Sequence, residues 1–286
     1  MTNLREAVCC SDNLAKAYAR HSRHRGLWMP GVPMREVAAS PIRAVLRLAE
    51  EMRDNRYRPH PPRMIGLTKA DGSKREISVY MMRDRVAQRA LMQVLQQRTD
   101  HAMSPCSFGY RPGRSVSMAV ACARSYLDAG NCWIGDADVE RCFDTIPRAP
   151  LLEEVERRLN DDSAPKLVAK YLGWNSLACQ SGSGIPQGSG LAPWLCNVYL
   201  WRLDERMGKT DIPMVRYADD FVLLAPTRHR AKRALALCAG TLEAMRLKLH
   251  PVKTRILDAF TPIRFLGQWL TQEPQLDCEA TATAGI

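Results

Sequence analysis

The sequence predicts an α+β fold in which short antiparallel strands are backed by amphipathic helices. Three observations carry that prediction. Residues 214–224 set two apolar, strand-like runs on either side of a tight Ala218-Asp219-Asp220 turn, the pattern of a buried hairpin. Residues 132–138 read as a further strand that ends in the carboxylates Asp136 and Asp138. Around these runs apolar residues recur at helical spacing, as at Val86, Ala90, Leu91, Val94 and Leu95, or at Ala231, Leu235, Leu242 and Met245.

In chain order, residues 1–30 form a basic, partly helical lead that includes Asn13 to Tyr18. Its cluster of Arg20, His21, Arg23, His24 and Arg25 either touches a nucleic-acid backbone or is a solvated face. Pro30, Gly31 and Pro33 break any helix. Ser40-Pro41 opens the next one, with Ser40 as N-cap and Pro41 at the first helical position. Ile42, Val45, Leu46, Ala49 and Met52 make its apolar stripe, and Pro59, Pro61 and Pro62 stop it. Residues 64–68 and 76–80 read as a hairpin turned at Asp71-Gly72. Its Lys69, Lys74 and Arg75 suit a clamp on a triphosphate, or are simply charges on an exposed turn. A helix over 84–97 comes next.

The stretch 107–115 is a loop fixed by Gly109, Pro112 and Gly113, from which Arg111 and Arg114 project between Phe108 and Tyr110. Charge interleaved with aromatic rings suits a grip on a nucleic-acid strand. Ser115 caps a helix reaching 127. Helical patterns cover residues 151–159 and 167–172. The small-residue loop 182–190 then opens a helix over 191–206, and such a loop lets a nucleotide approach the backbone closely. A helix over 227–247, a strand over 255–258 and a last hairpin over 263–270 complete the pattern, with 271–286 frayed.

At 286 residues, 46% hydrophobic and 25% charged, the chain can bury one large or two small cores. A net charge of +11 suits a polyanionic partner, the alternative being a merely soluble basic protein. The ten cysteines include no C-x-x-C pair, which argues against a zinc site and for reduced, packed thiols in a cytoplasmic protein. No apolar run approaches a membrane span, and the N-terminus lacks a signal core, so no membrane partner is expected.

Two adjacent carboxylates on a buried hairpin repel each other unless they are solvated in a turn or share a cation. Asp138 lies 81 residues before Asp219, yet neighbouring strands can bring the two together. Carboxylates from two strand ends, holding two ions about 4 Å apart, are what in-line phosphoryl transfer needs. With the glycine-rich loop and the basic hairpin, the set points to template-directed nucleotidyl transfer.

The ordered series of motifs resembles a reverse transcriptase of the bacterial group II intron type. It runs through Arg83-Asp84-Arg85-Val86-Ala87-Gln88, the stretch 107–115, Asp138 to Ile146, Gly184-Ile185-Pro186-Gln187-Gly188, Arg216-Tyr217-Ala218-Asp219-Asp220-Phe221, Leu249 to Thr254 and Phe265-Leu266-Gly267. The resemblance implies a right-hand polymerase fingers-and-palm fold, with an N-terminal helical extension at 1–60, fingers at 61–130 and palm at 131–270. A fingers segment at about 150–190 would interleave with the palm. It implies RNA-directed DNA polymerase activity with Mg²⁺, or Mn²⁺, as cofactor, and RNA template, DNA primer and deoxynucleotides as partners. Asp138 and Asp219 would hold the ions, supported by Asp220 and the backbone carbonyl of Val139. Phe143 would exclude a 2′-hydroxyl. Gln187 and Gly188 would line the nucleotide pocket, Lys69 and Arg75 would meet the triphosphate, and Lys253 would face the pyrophosphate. Arg111, Arg114, Phe265, Leu266 and Gly267 would contact nucleic acid. The family usually continues into a helical thumb, whereas this sequence stops about 19 residues after Gly267. A degenerate intron protein, a fragment of a longer chain, or a group II-like enzyme working with an RNA or protein partner that supplies the thumb's function, as in CRISPR-linked and antiviral defence systems, fits that pattern. A non-catalytic RNA-binding maturase remnant or assembly subunit is the alternative.

Overall fold

The computed structural model describes residues 3–68, 72, 74–174 and 182–271. Its N-terminal part is mostly helical: α1 (Leu4–Val8), α2 (Ser11–Ala19), a two-stranded hairpin of β1 (Leu27–Met29) and β2 (Val32–Pro33), α3 (Met34–Ala39) and α4 (Pro41–Arg53). Pro30, Gly31 and Pro33 therefore do more than break a helix: they shape a hairpin around the buried Trp28. Ser40 precedes α4 but its side chain makes no capping bond. The α4 stripe is also rotated from the expected one. Val45, Leu48, Ala49 and Met52 are buried, while Ile42 is 74% and Leu46 47% exposed. The spacing allowed two overlapping stripes, and α1 and α2 pack under only one of them.

The hairpin of β3 (Arg63–Thr68) and β4 (Lys74–Val79) stands out from the body, with every residue of β3 exposed. Helix α5 (Met82–Thr99) is the opposite: it is central, and even its Asp84 and Gln88 are buried. Helix α6 (Val116–Asp128) starts as expected at Ser115, whose hydroxyl accepts from the Met118 N–H.

The palm-like frame is one four-stranded sheet. β5 (Trp133–Asp138) is followed by α7 (Cys142–Thr145), α8 (Arg148–Leu159), α9 (Ser163–Leu172) and α10 (Ala192–Met207). Then come β6 (Met214–Tyr217), β7 (Asp220–Ala225), α11 (Arg228–Ala244), β8 (Arg255–Asp258) and a closing hairpin of β9 (Arg264–Phe265) and β10 (Gln268–Trp269). The sheet order is β6-β7-β5-β8 and all its pairings are antiparallel.

Strand alternation divides the core in two. Ala137, Phe221, Leu223 and Ala225 face the layer built on α10 and α11, where a Cβ on Gly135 would lie 3.1 Å from the Leu235 Cγ. Ile134, Val215, Val222 and Leu224 face α6 and the closing hairpin through Ala119, Val120 and Phe265. The second face carries apolar residues at its Ile134–Leu224 end and carboxylates at the other, where Asp138 pairs with Asp220. Cys9, Cys142, Cys196 and Cys238 are buried free thiols, whereas Cys10 and Cys132 are exposed.

Candidate active site

The site is built from the turn upward. Between β6 and β7 the chain reverses through Ala218 and Asp219, and Ala218 takes a left-handed backbone at φ 59°. That conformation costs an L-residue about 1–2 kcal/mol, so something must hold it. Arg216 does. It is 1% exposed, and its guanidinium donates to the Ala218 carbonyl at 2.8 Å, to Asn197 Oδ1 at 3.0 Å, to Ser107 Oγ at 2.9 Å and to both Asp204 oxygens at 2.6 and 2.5 Å. The loop 107–115 closes over the turn. Phe108 N donates to Arg216 O at 2.8 Å, and a Cβ on Gly109 would sit 2.5 Å from Ala218 N.

Asp138 ends β5 directly opposite Asp220, and Val139 N donates to the Asp219 carbonyl at 3.1 Å. The three predicted carboxylates therefore meet at one edge of the sheet. Among the described residues the Val139 carbonyl receives no hydrogen bond and stays available. Lys253 is brought in by the segment after α11: His250 N donates to Asp138 O at 2.8 Å, and the Lys253 ammonium binds the Asp138 carboxylate. That contact holds the Lys253 pKa above its ordinary value.

Asp136, two residues before Asp138 on the same strand face, belongs to the cluster as well. Arg255 of β8 binds it at 3.0 Å. Burial, then Asp136, Asp138 and Asp219 in turn, pushes the Asp220 carboxyl up to about 7. Burial and the charge of Asp138 also raise Asp219. A set this crowded with negative charge, made of oxygen donors only, is the chemistry a hard divalent cation relieves. No three His, Cys, Asp or Glu side chains among the described residues form a ligand set by themselves. Asp138, Asp219 and the Val139 carbonyl are the oxygen donors here that could hold a divalent cation.

Across the cleft, the predicted nucleotide residues form a relay. The Arg75 guanidinium donates to Gln187 Oε1, Gln187 Nε2 donates to Asp144 Oδ1 at 2.6 Å, and Ser78 N donates to the Gln187 carbonyl at 2.7 Å. Gly188 sits at φ 100°, where a Cβ would meet Ser78 O at 2.5 Å, so the exposed hairpin docks on this loop only because the position is glycine. Phe143 is half-buried against the core and its carbonyl accepts from Ile185 N at 2.6 Å. The positive charge of Arg75 is felt at Asp219, which sets the relay and the carboxylates on one cleft. An open groove of about 810 Å³ between α8, α10 and α11 contains none of these residues.

Other predicted contacts need correction. Arg111 is buried, and its guanidinium is occupied by Asp100 Oδ1 at 2.8 Å, Asp100 O at 2.7 Å, Ser104 O at 2.7 Å and Ser107 O at 2.9 Å. It holds the loop's shape and does not reach a strand. Arg114 stays exposed, donating to Pro105 O at 2.8 Å with its guanidinium over the Phe108 ring. Phe265 is 1% exposed and packs in the core, which leaves Leu266 and Gly267, the positive-φ turn of the closing hairpin, as the outward part of that motif. Lys69 lies outside the described residues. Sequence reasoning assigned no role to Asp136, Asp144 or Arg216. Strand alternation with Asp138 was the signal for Asp136, and a lone charge inside an apolar arm was the signal for Arg216.

Carboxylates at a hairpin tip, joined by a neighbouring strand end and faced by a basic hairpin, are the architecture of a polymerase palm and fingers. Residues 67–270 match the family described as reverse transcriptase (RNA-dependent DNA polymerase), and the chain belongs to that family. Protein YkfC of Escherichia coli (strain K12) is 26% identical over 269 residues, covering 79% of this chain and 71% of that protein. The putative COX1/OXI3 intron 1 protein of Saccharomyces cerevisiae is 26% identical over 258 residues, covering 85% of this chain and 29% of that protein. The group II intron-encoded protein LtrA of Lactococcus lactis is 27% identical over 166 residues, covering 56% of this chain and 28% of LtrA. These relatives support the group II intron type, and the chain spans under a third of the two intron proteins. Telomerase from Candida albicans, solved with a fragment of telomeric RNA, shares the fold at a TM-score of 0.59 and 14% identity, over 83% of this chain and 48% of that one.

Proposed function

We propose that this chain is the polymerising unit of an RNA-directed DNA polymerase, which adds deoxynucleotides to a DNA primer on an RNA template. The observation that carries the reading is the meeting of Asp138 with Asp219 and Asp220 at one sheet edge, beside an available Val139 carbonyl. Divalent cations held there, Mg²⁺ or Mn²⁺, would supply Lewis-acid stabilisation of the charge that develops as the phosphoryl group transfers. Asp138 and Asp219 are the proposed ligands and Asp220 their support. Lys253, paired with Asp138 in this structure, would be released to face the leaving pyrophosphate when a cation takes that carboxylate. Arg75, aligned by Gln187, meets the triphosphate, and Lys69 is proposed beside it. Gln187 and Gly188 line the nucleotide pocket. Phe143 presses under the sugar and selects against a 2′-hydroxyl.

The proposed division keeps fingers at 61–130 with about 150–190 and palm at 131–270. A non-catalytic RNA-binding role is not favoured, because an unused carboxylate cluster would only repel the strand.

Primer extension on matched RNA and DNA templates tests the reading. The expected result is Mg²⁺-dependent extension on RNA. Purified protein that binds the primer–template and adds no nucleotide with either cation contradicts it.

A further inference from the structure

The chain of contacts that begins at Arg75 ends on Asp144, a carboxylate apart from the acidic cluster at the sheet edge. Asp144 Oδ1 accepts from Gln187 Nε2 at 2.6 Å, and Gln187 Oε1 in turn accepts from the Arg75 guanidinium. A guanidinium only donates and an ionised carboxylate only accepts, whereas a primary amide has one end of each kind. Gln187, set between the two, can therefore face only one way, with its nitrogen on Asp144 and its oxygen on Arg75. Among the described residues no other side chain bonds Gln187 Nε2, so Asp144 dictates that orientation.

The backbone holds the pair in register. Asp144 lies on α7, and the segment from Phe143 to Arg148 is zipped to the glycine-rich loop. Ile185 N donates to Phe143 O at 2.6 Å, Gly184 N to Ile146 O at 2.9 Å and Arg148 N to Gly182 O at 3.0 Å. Gly184 takes φ 90°, where a Cβ would lie 3.0 Å from Asp144 O, so the close approach of the two segments depends on glycine there. The second oxygen, Asp144 Oδ2, has Arg141 Nε at 3.5 Å, which leaves Oδ1 to Gln187.

We propose that Asp144 is a positioning residue for the incoming nucleotide. It touches no substrate itself and acts through Gln187 to hold Arg75 turned toward the triphosphate. The inference rests on the polymerase reading and deepens it. An amide able to turn over would, in one of its two orientations, set N–H groups against a guanidinium, and two donors make no bond. Arg75 stands on an exposed hairpin and has many rotamers to lose. Aligning it before the nucleotide arrives removes that cost from binding.

Steady-state addition of one deoxynucleotide to a primer on RNA, across a range of nucleotide concentration, tests it. Asp144→Ala is expected to raise the KM for the deoxynucleotide about tenfold, with kcat within about twofold of wild type. Asp144→Asn keeps an oxygen for Gln187 Nε2 without forcing the amide's direction, and is expected to raise KM only about threefold. Arg141→Asn removes the other partner of Asp144 at a left-handed position that Asn tolerates, and is expected to leave KM near wild type. In a Gln187→Ala background, Asp144→Ala is expected to add less than about twofold, because the two side chains act as one unit. A folded Asp144→Ala protein with wild-type KM overturns the proposal, as does full additivity with Gln187→Ala or an equal loss in Arg141→Asn. If Asp144→Ala fails to fold, Asp144→Asn decides, and a wild-type KM in that variant overturns the proposal. If the wild-type protein adds no nucleotide, the polymerase reading falls. Equilibrium binding of a labelled deoxynucleoside triphosphate in the presence of Ca²⁺ then decides this inference. Weaker binding by Asp144→Ala upholds it, and equal binding, or none by either protein, overturns it.

Discussion

Arg216 shows how a single buried charge can organise a site. It binds Asp204, Asn197 and Ser107 and also pins the carbonyl of the strained Ala218, so helix α10, the loop 107–115 and the carboxylate turn share one guanidinium. Removing one partner of such a buried pair leaves the other uncompensated. Arg216→Met is expected to cost about 3–5 kcal/mol, read as a shifted denaturation midpoint. A loss under about 1 kcal/mol would mean that the turn holds itself. If Phe143 lines the proposed nucleotide pocket, Phe143→Ala is expected to raise ribonucleotide incorporation about tenfold or more by opening space under the sugar. Competition between a ribonucleotide and its deoxy counterpart measures this, and an unchanged preference would refute the gate. The predicted carboxylates were legible because adjacent acids in an apolar hairpin have few solutions. The burial of Arg111 was not, since a guanidinium that satisfies its own loop and one that grips a strand look alike in sequence.

Among the elements, the exposed β3–β4 hairpin matters most. It gains its position from the docking of Ser78 on the Gln187 carbonyl and from the absence of a side chain at Gly188. Gly188→Ala forces a Cβ to 2.5 Å from Ser78 O on a φ 100° backbone and must displace the hairpin. Since small misplacements of positioning groups are expensive, the KM for deoxynucleotides is expected to rise about tenfold or more with RNA affinity unchanged. Wild-type steady-state kinetics would show that the hairpin is not placed by this loop. The amphipathic helices α6 and α11 were readable from their periodicity, and β5, β7 and α5 from apolar runs or recurring apolar residues. The β1–β2 hairpin and α3 were not, because proline and glycine end a helix without specifying the next element. The α4 stripe failed for a related reason: its spacing allowed two faces, and only the packing of α1 and α2 chose between them.

On the scale of the whole molecule, one antiparallel sheet separates two cores and leaves its carboxylate end bare. No helix among the described residues is long and apolar enough to cross a membrane. The register of β5 on β7 could not be read locally, since the two strands are far apart in sequence, although alternation along β5 already put Asp136 on the face of Asp138. That crowding has a pH signature. The Asp220 carboxyl titrates near 7 in the fold and near 4 in the unfolded chain, so the native state holds the extra proton between those values. Its contribution to stability is therefore present at low pH and is lost as pH rises through about 7, when the charge must be borne or shared with a cation. Mg²⁺ or Mn²⁺ is expected to raise the melting temperature more at pH 8 than at pH 6, measured by calorimetry at fixed ionic strength. An equal rise at both values would contradict cation binding at this cluster.

On the proposed reading, acids from β5 and from the β6–β7 turn together carry nucleotide addition. Single-turnover extension of a DNA primer on RNA, for Asp138→Ala and Asp219→Ala beside wild type, tests it most directly. Each variant is expected to keep RNA affinity within about twofold and to lose at least about 10³-fold in rate, some 4 kcal/mol of transition-state stabilisation. Rates near wild type in either variant, with the fold intact, would contradict it.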